Sequence, residues 1–599
     1  MKDKVTAVLL YLSTSALALG LFLKYIFDIS PDIPWAIGGF VGLIPSIKWV
    51  IDELKDKQMG SDVLAIFSIV GALVIQEFFA ASVISFMLAS GRALESWAEG
   101  RADSALKSLI DRMPKLANRI TVSGQLEIIS VENVVSGDRL VVKSGEIVPV
   151  DGIAQESCYL DQSALTGEPL PVLLNKLDPV ISGTINAGNT FEMLATGNVS
   201  QSTYSGIVTM VRNSRAESSP NIRLANKWAL RFVPLTILMA GITYLLTGDA
   251  TRTVAVLVVA TPCPLILAVP IALVAGMSRA TKSGAVIKGG AVLEKLSRAE
   301  VVLLDKTGTV THGGPVITEI SSIPGLSTEY VLQIAASLDQ YSPHVVAKSL
   351  VDEAKRREIK LLSASDVIEE HGKEVTGLVA GKKVRVGAAP DSIPNWAKLE
   401  QPLLVALHVD EELIAIFGLE DPIRMESRRT VDELHRLGVR EIVMITGDKE
   451  DTARAVASEL GINRVIANST PETKLNTVHE YRNKVTGTVL VVGDGINDAP
   501  ALAASDVGIA MGARGATAAS EAADVVIIED SIDRVTSAIA LAKISHRKAL
   551  QASVGGMGLA LIAMAAAAVN HLTPSEGAIV QELIDLLAIM WALTTLKAN

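Results

Sequence analysis

The sequence predicts a multidomain, mainly helical membrane protein with two soluble parts, one rich in β-strands and one of the α/β type. Two observations support this fold class. The chain of 599 residues is 49% hydrophobic and has a mean hydropathy of +0.38, which is too apolar for an ordinary soluble enzyme. Its long apolar runs are also interrupted by two long polar stretches. The formal net charge of −11 argues against nucleic acid as a partner.

About eight apolar runs reach the length of about 20 residues that a membrane-spanning helix requires. They cover residues 5–27, 33–51, 62–77, 79–98, 229–247, 252–276, 549–570 and 577–596. The first run also resembles a signal peptide with a cleavage site at residues 15–18, but it continues to Phe27 and a second span follows at once. Lys and Arg residues cluster beside the polar stretches, so the positive-inside rule places both stretches in the cytoplasm. We therefore expect an integral protein of a plasma (inner) membrane.

The two polar stretches differ in pattern. The first, residues 100–220, contains alternating segments separated by glycines, which is typical of a small β-rich domain. The second, about residues 280–545, alternates apolar strands with helical patterns, as α/β folds do. The chain has two cysteines, Cys158 and Cys263, and therefore neither a disulfide framework nor a Cys-x-x-Cys metal module.

The most informative residues are Asp305 and Thr307, which follow the apolar run of residues 301–304. That run predicts a buried strand, so Asp305 stands at the carboxyl end of a strand, where α/β sheets bind ligands. A carboxylate there can attack a phosphoryl group and form an aspartyl-phosphate. The adjoining Thr and Gly residues let hydroxyl and backbone donors approach phosphate oxygens.

Two further strand-like runs end in polar clusters. Residues 442–445 lead to Thr446, Gly447 and Asp448, and residues 489–492 lead to the cluster of residues 493–498. A parallel sheet brings both clusters to the edge that holds the first carboxylate. We expect Thr446 and Lys474 to hold phosphoryl oxygens there, while Gly447 and Asp448 complete the loop.

The same edge is a candidate magnesium site. Mg²⁺ prefers carboxylate oxygens and keeps several waters. We expect Asp305, Thr307, Asp494 and Asp498 to surround this ion. The ion and the cationic side chains then spread the charge of the transferring phosphoryl group.

These motifs together resemble those of a known family. Residues 305–309 match the phosphorylation motif of the P-type ATPases, cation pumps that pass through a phosphoenzyme, and residues 446–448 and 493–498 resemble two further loops of that family. Residues 421–424 resemble another of its signatures. The implied domains are membrane helices at 1–99, 221–278 and 546–599, an actuator domain at 100–220, a haloacid-dehalogenase-like phosphorylation domain at 279–314 and 416–545, and an inserted nucleotide-binding domain at 315–415.

The resemblance also assigns catalytic residues to the β-rich domain. Thr166, Gly167 and Glu168 resemble the actuator loop, whose glutamate directs water to the aspartyl-phosphate. A Glu on a rigid glycine turn can orient a nucleophilic water, which fits this role.

ATP is implied in the inserted domain. Heavy-metal pumps of this family carry a His-Pro pair whose His stacks near adenine, whereas here the proline precedes His344. Asp339 stands where an acidic partner is expected. The family's Gly-x-Gly loop corresponds to Gly372, with Glu374 in place of the second glycine, and Gly377 is a further candidate nucleotide residue.

The candidate cargo site lies in the membrane. Prolines on both sides of Cys263 remove backbone donors in the sixth span, so we expect the helix to open there and to line a cavity. In the last span, Gln581 and Asp585 share a helix face and Glu582 lies beside them. Carboxylates inside a span are functional by default. These four side chains offer sulfur and oxygen donors together, which suits a borderline divalent transition metal.

A Cys-Pro in the sixth of eight spans marks the heavy-metal (type IB) subfamily. The Thr-Pro-Cys and Gln-Glu-x-x-Asp patterns resemble the branch linked to nickel, iron and cobalt export. The resemblance implies ATP-driven export of such a metal with Mg²⁺ and ATP as cofactors, in a lipid bilayer and with no obligatory protein partner. Zinc, cadmium and copper remain open as cargo. We expect neither a hemerythrin-like C-terminal domain nor an N-terminal metal domain.

Two alternatives come from other classes. A membrane-tethered phosphatase of the dehalogenase type normally has a second Asp two residues after its nucleophile, and this chain has Thr307 there. A non-catalytic metal sensor has no need for the complete set of Asp305, Asp494 and Asp498. Both features favour the pump.

Overall fold

The computed structural model describes residues 2–55, 62–102, 114–121, 123–161, 171–202, 205, 220–260, 263–342, 344–370, 374–390, 392–397, 399, 401, 403–494, 498–512 and 522–597. The helices of these residues are α1 (Lys2–Ile26), α2 (Asp32–Lys55), α3 (Asp62–Val74), α4 (Phe78–Ala102), α5 (Pro220–Thr247), α6 (Ala250–Val259), α7 (Cys263–Lys282), α8 (Gly290–Ser297), α9 (Thr328–Asp339), α10 (Val345–Arg356), α11 (Ser427–Arg436), α12 (Glu450–Leu460), α13 (Pro471–Lys484), α14 (Ala499–Ala504), α15 (Asp533–Ala568) and α16 (Pro574–Leu593).

The strands follow the same chain order. They are β1 (Leu116–Ile120), β2 (Leu126–Ser130), β3 (Arg139–Val142), β4 (Gly152–Ala154), β5 (Cys158–Asp161), β6 (Val172–Leu174), β7 (Pro179–Val180), β8 (Ile185–Asn186), β9 (Phe191–Ala195), β10 (Ala285–Ile287), β11 (Ala299–Asp305), β12 (Val316–Ser322), β13 (Ala364–Glu370), β14 (Glu374–Val379), β15 (Lys382–Ala388), β16 (Leu403–Val409), β17 (Glu412–Glu420), β18 (Glu441–Ile445), β19 (Arg464–Ile466), β20 (Thr488–Gly493), β21 (Val507–Ala510) and β22 (Val525–Ile527).

Apolar helices form the membrane part. Five segments of the described chain are long and apolar enough to cross a bilayer: Thr6–Ile26, Asp32–Ile51, Phe78–Ala98, Asp533–Ala568 and Pro574–Lys597. Shorter apolar helices cover Val63–Val74, Phe232–Thr247 and Ala250–Val259. The third and fourth predicted spans are separated at Gln76, which has a left-handed backbone with a φ of 62°.

The sixth predicted span is divided. Helix α6 ends at Val259 and α7 begins at Cys263, with the proline at position 262 between them. Proline lacks a backbone donor and its ring clashes with the preceding turn, which accounts for a break at this position. Both α6 and α7 pack against α15 and α16.

The β-rich region forms two antiparallel sheets. A six-stranded sheet has the order β2-β1-β3-β9-β4-β7, and a three-stranded sheet has the order β6-β5-β8. The alternating residues of β9 are buried at Phe191, Met193 and Ala195, so one face of the larger sheet carries the core. This is the half-buried pattern that alternating sequences predict.

The α/β region contains a seven-stranded sheet with the order β10-β22-β21-β20-β11-β18-β19. Its strands are parallel except for β10, which pairs antiparallel with β22. A parallel sheet is covered on both faces, which explains why β11 and β20 are continuous apolar runs of Val and Leu. Between β11 and β18 the chain forms a separate antiparallel sheet with the order β12-β17-β16-β15-β14-β13, which packs on α9 and α10.

Candidate active site

Three neighbouring strands bring the predicted catalytic residues to one edge of the parallel sheet. Strand β11 lies between β18 and β20, and its last residue, Asp305, is in register with Ile445. Leu304 is in register with Val492 on the other side. The polar clusters that follow β18 and β20 therefore flank Asp305 directly, as the three apolar runs predict.

Three carboxylates meet at this edge. Oxygen atoms of Asp305, Asp494 and Asp498 all lie within 4.8 Å of one another. Burial and repulsion from Asp498 raise the pKa of Asp305, although Lys474 opposes the shift. Burial and the same neighbour raise the pKa of Asp494 to about 6. A crowded set of oxygen donors that disfavours its own negative charge fits a hard cation such as Mg²⁺.

Two lysines organise the site. The Nζ atom of Lys474 lies 2.5 Å from Oδ1 of Asp305 and 2.6 Å from Oδ1 of Asp498. Although burial opposes its charge, these two ion pairs raise the pKa of Lys474. The second lysine, Lys306, is buried and lies 2.5 Å from Oδ2 of Asp448. This ion pair connects the loop after β18 with the loop after β11.

Gly308 allows the loop after Asp305 to pass close to the side chain of Asp494. Its φ is +71°, and a Cβ at this position would lie 1.6 Å from Oδ2 of Asp494. Only glycine satisfies both the left-handed backbone and the close approach. The glycine of the phosphorylation motif is therefore required by the geometry of the acidic cluster.

The remaining predicted residues of this edge differ in exposure. Thr446 is buried, and its Oγ1 accepts a hydrogen bond of 3.2 Å from the backbone N–H of Asp448. Gly447 and Thr307 are exposed. The two exposed residues leave the edge open to an incoming phosphate, whereas Thr446 is fixed by its own loop.

Arg424 is a functional candidate that the sequence reasoning did not place in the site. This buried guanidinium donates from Nε to the carbonyl of Thr311 (2.8 Å) and from Nη2 to the carbonyl of Gly308 (3.1 Å). It also donates to the backbone and the carboxylate of Asp530, at 2.7 and 2.5 Å. The signature at residues 421–424 was the available signal, because Asp421 of the same stretch accepts a hydrogen bond from Thr311 Oγ1 at 2.6 Å.

A cavity of about 190 Å³ lies in the antiparallel domain and contains the predicted nucleotide residues Asp339 and His344. His344 caps α10, and its Nδ1 accepts a hydrogen bond from the backbone N–H of Val346 at 3.3 Å. Asp339 is 2% exposed and its Oδ1 has no hydrogen-bond partner within the described chain. Burial and the nearby Glu369 raise the pKa of Asp339 to about 7.

The two glycine positions of this domain have different surroundings. Glu374, which stands where the family has its second glycine, lines the cavity and pairs with Arg385 at 3.2 Å. Gly377 packs against α9, since a Cβ there would lie 2.8 Å from Cδ1 of Leu338. Gly377 thus supports the packing of β14 on the helix that carries Asp339. Gly372 lies outside the described residues.

In the membrane part, the polar side chains of α16 contact different neighbours. Gln581 is buried and donates from Nε2 to Oδ1 of Asp585 at 2.9 Å. Both residues follow Gly577 at intervals of four, and a Cβ at Gly577 would lie 2.6 Å from Val259. This face therefore packs on the end of α6, next to the helix break. Glu582 instead accepts a hydrogen bond from Ser90 of α4 at 2.9 Å.

Thr166, Gly167 and Glu168 lie outside the described residues, and so does the side chain of Cys263. The roles predicted for these residues stay predictions.

Comparisons with known proteins agree with this architecture. A family model described as haloacid dehalogenase-like hydrolase matches residues 299–506, and one for the P-type ATPase actuator domain matches residues 111–212. A crystal structure of a zinc-transporting PIB-type ATPase in the E2.Pi state covers 99% of both chains, with 27% identity and a TM-score of 0.66. The fold class predicted from the sequence is thereby confirmed.

Relatives found by sequence are named as metal-transporting ATPases. A copper-transporting ATPase 1 of Rhizobium meliloti (strain 1021) is 37% identical over 79% of this chain and 59% of its own length. The chain thus spans little more than half of that relative. A probable cadmium-transporting ATPase of Listeria monocytogenes is 31% identical over 86% of this chain and 75% of its own length. A zinc-transporting ATPase of Bacillus subtilis (strain 168) is 29% identical over 94% and 91%.

Proposed function

We propose that this chain, which belongs to the heavy-metal P-type ATPases of type IB, exports a heavy-metal cation. The transport is driven by hydrolysis of ATP. The observation that carries the proposal is the position of Asp305, at the carboxyl end of β11 between two acidic or polar loops and paired with Lys474. This is the arrangement that a carboxylate nucleophile for phosphoryl transfer needs.

In the first step, an oxygen of Asp305 forms a bond to the γ-phosphorus of ATP while the bond to the β-phosphate oxygen breaks and ADP leaves. Lys474 holds the nucleophile in place and offsets the negative charge of the phosphoryl group. Asp305, Asp494 and Asp498 offer the carboxylate ligands for Mg²⁺, together with the backbone or hydroxyl of Thr307. When bound, the ion neutralises charge on the transferring group. Thr446, Gly447 and Asp448 form the adjoining phosphate loop.

The nucleotide is bound in the cavity of the antiparallel domain. His344 and Asp339 are the candidate adenine contacts, because both line the cavity of about 190 Å³. A protonated Asp339 can donate a hydrogen bond and an ionised one can accept. Glu168, with Thr166 and Gly167, is the candidate for directing water to the phosphoenzyme in the second step.

The cargo site is formed around the break between α6 and α7. Cys263 begins α7, and Gln581 and Asp585 lie on the face of α16 that packs against α6. Glu582 lies one residue along, on the side of α4. A single thiolate with carboxylate and amide oxygens favours a divalent transition metal over Cu(I), which prefers several sulfur ligands.

We infer nickel, iron or cobalt as the cargo from the Thr-Pro-Cys and Gln-Glu-x-x-Asp patterns, with zinc next. The relatives reported above carry the names of copper, cadmium and zinc pumps. Copper, cadmium and zinc are therefore tested beside nickel, iron and cobalt to identify the cargo. The protein is placed in a plasma membrane with its soluble domains in the cytoplasm.

The experiment is a metal panel on the purified full-length protein. ATPase rate and an acid-stable, hydroxylamine-labile phosphoenzyme are measured with Ni²⁺, Co²⁺, Fe²⁺, Zn²⁺, Cd²⁺ and Cu⁺. We expect stimulation by divalent ions and its loss in Cys263→Ser, while phosphorylation from inorganic phosphate persists. Cys158→Ala is the matched control, because Cys158 is buried in the β-rich domain. Stimulation by Cu⁺ alone contradicts the divalent assignment, and loss of both phosphorylation reactions in Cys263→Ser makes that residue structural.

The phosphatase alternative makes a different prediction in the same assay. An enzyme without transport hydrolyses phosphate esters without metal stimulation, whereas a pump couples the two. The match to an actuator-domain model at residues 111–212 favours the pump.

A further inference from the structure

A side-chain hydrogen bond joins Glu582 of the last helix to α4, at a residue 492 positions away in sequence. The Oγ of Ser90 lies 2.9 Å from Oε1 of Glu582. Both residues are partly buried, and α4 and α16 pack against each other. A partly buried carboxylate between two packed helices is oriented by the hydrogen bonds that it makes.

The second oxygen of the same carboxylate is available. Oε2 of Glu582 is buried and has no hydrogen-bond partner within the described chain. It faces Gly91, whose Cβ position would be 3.9 Å away. A buried carboxylate oxygen without a partner is costly unless a donor or cation reaches it. One oxygen is therefore held by Ser90 and the other is presented to a ligand.

Serine can also release this carboxylate at little cost. Its hydroxyl has one proton and two acceptors within reach, Oε1 of Glu582 at 2.9 Å and the carbonyl of Met87 at 3.0 Å. If Glu582 moves, the proton turns to the carbonyl of its own helix, and no buried donor is left unpaired.

We propose that Ser90 is a positioning residue that orients Glu582 to receive the cargo metal on the α4 side of the membrane site. The proposal rests on the proposed export function and adds a residue that the cysteine and carboxylate patterns do not contain. Hydrogen-bond partners of metal-binding carboxylates fix their orientation, and losing such a partner typically lowers metal affinity about 10- to 100-fold.

The test compares Ser90→Ala with Ser90→Thr in the full-length protein in detergent. Binding of Zn²⁺ and Ni²⁺ is measured by equilibrium dialysis, and the ATPase rate is titrated with the same ions. We expect Ser90→Ala to raise the dissociation constant and the half-saturating metal concentration about tenfold, with the maximal rate within about twofold. Ser90→Thr, which keeps the hydroxyl, restores both values.

A matched control is available on the same helix. Ser85 is fully buried, and its hydroxyl bonds backbone carbonyls of Gly39 and Ala81. Ser85→Ala is expected to leave the metal titration unchanged. In a Glu582→Gln background, Ser90→Ala is expected to add nothing, because the group that it orients has lost its charge.

Different results contradict the export function and the role of Ser90. Wild-type protein that binds the ions without metal-stimulated ATPase contradicts the export function. If the wild type is stimulated but Ser90→Ala matches it, the role of Ser90 is wrong. The same holds if Ser90→Ala weakens binding equally in the Glu582→Gln background. If Ser90→Ala is poorly folded, Ser90→Gly, which also lacks the donor and adds no metal ligand, is expected to show the same direction of change.

Discussion

The Nζ atom of Lys474 lies 2.5 Å from Oδ1 of Asp305, although 169 residues separate them in sequence. Lys474 is the fourth residue of α13, and Asp305 is the last residue of β11. Asp498 is the second partner of the lysine, at 2.6 Å. One cation thus holds the proposed nucleophile and one of the candidate magnesium ligands in a fixed relation.

Lys474→Gln is expected to slow phosphoenzyme formation from ATP by roughly 100-fold or more, because a preorganised charge at the transferring phosphoryl group is lost. Nucleotide affinity should change little, since the cavity is in another domain. The rate is measured by rapid quench with labelled ATP. Lys484→Gln on the same helix is the control, as Lys484 pairs with Glu480 at the exposed surface. Equal rates in the two variants contradict the role of Lys474.

Gly308→Ala is expected to abolish most phosphoenzyme formation and to raise the Mg²⁺ concentration that it requires. The added Cβ would lie 1.6 Å from Oδ2 of Asp494, and a φ of +71° costs a residue with a side chain about 1 kcal/mol. Gly314→Ala is the control, because no heavy atom lies within 4 Å of its Cβ position. A Gly308→Ala protein with a normal Mg²⁺ titration shows that Asp494 does not depend on this close approach.

Arg424→Gln is expected to destabilise the α/β domain by about 2–4 kcal/mol, because buried carbonyls of the phosphorylation loop lose their donor. Phosphorylation should also slow, since Gly308 and Thr311 are both held by this side chain. Thermal unfolding and quench kinetics measure the two effects. Arg428→Gln, which changes an arginine whose side chain is 57% exposed, should cost less than about 1 kcal/mol. Similar unfolding temperatures for the two variants contradict the stabilising role of Arg424.

Asp339 is expected to make its helix less stable as pH rises. Its pKa is raised to about 7, mainly by burial, from an ordinary value of 3.8. The folded domain therefore binds a proton that the unfolded chain releases, and stability declines between about pH 4 and pH 7. The penalty is fully present above pH 7. Hydrogen exchange of α9, corrected for intrinsic rates, should show easier opening at pH 8 than at pH 5.5.

Asp339→Asn supplies the control for this pH dependence. The amide has similar volume and no charge, so opening of α9 should become nearly independent of pH over the same range. If the variant retains the pH dependence of the wild type, another group is responsible. Glu369, whose charge also raises the pKa of Asp339, is then the first residue to substitute.

The arrangement of the catalytic edge could be predicted because local sequence carries it. Short apolar runs specify β11, β18 and β20, and a parallel sheet places the residues after each run at one edge. The carboxylates of Asp305, Asp494 and Asp498 accordingly meet there. The family model matching residues 299–506 confirms the fold of this domain.

Other features depend on distant partners and have no local signal. Arg424 reaches Asp530, 106 residues away, and Ser90 reaches Glu582. Neither a helical nor a strand periodicity encodes such pairs. The apolar run of residues 549–570 likewise predicted only part of α15. The helix begins at Asp533, because more polar turns of the same helix precede the apolar run. The nickel, iron and cobalt assignment was not shown by the comparisons and stays a proposal.

The central claim is that a phosphoryl group on Asp305 drives metal through the membrane. The most direct measurement is ATP-dependent uptake of Ni²⁺, Co²⁺ or Zn²⁺ into proteoliposomes whose outward-facing cytoplasmic domains are supplied with Mg-ATP. Wild-type protein is expected to accumulate one of these ions together with a hydroxylamine-labile phosphoenzyme, and Asp305→Asn is expected to lose both. Metal accumulation that persists in Asp305→Asn, or a wild-type phosphoenzyme without any metal uptake, contradicts the account.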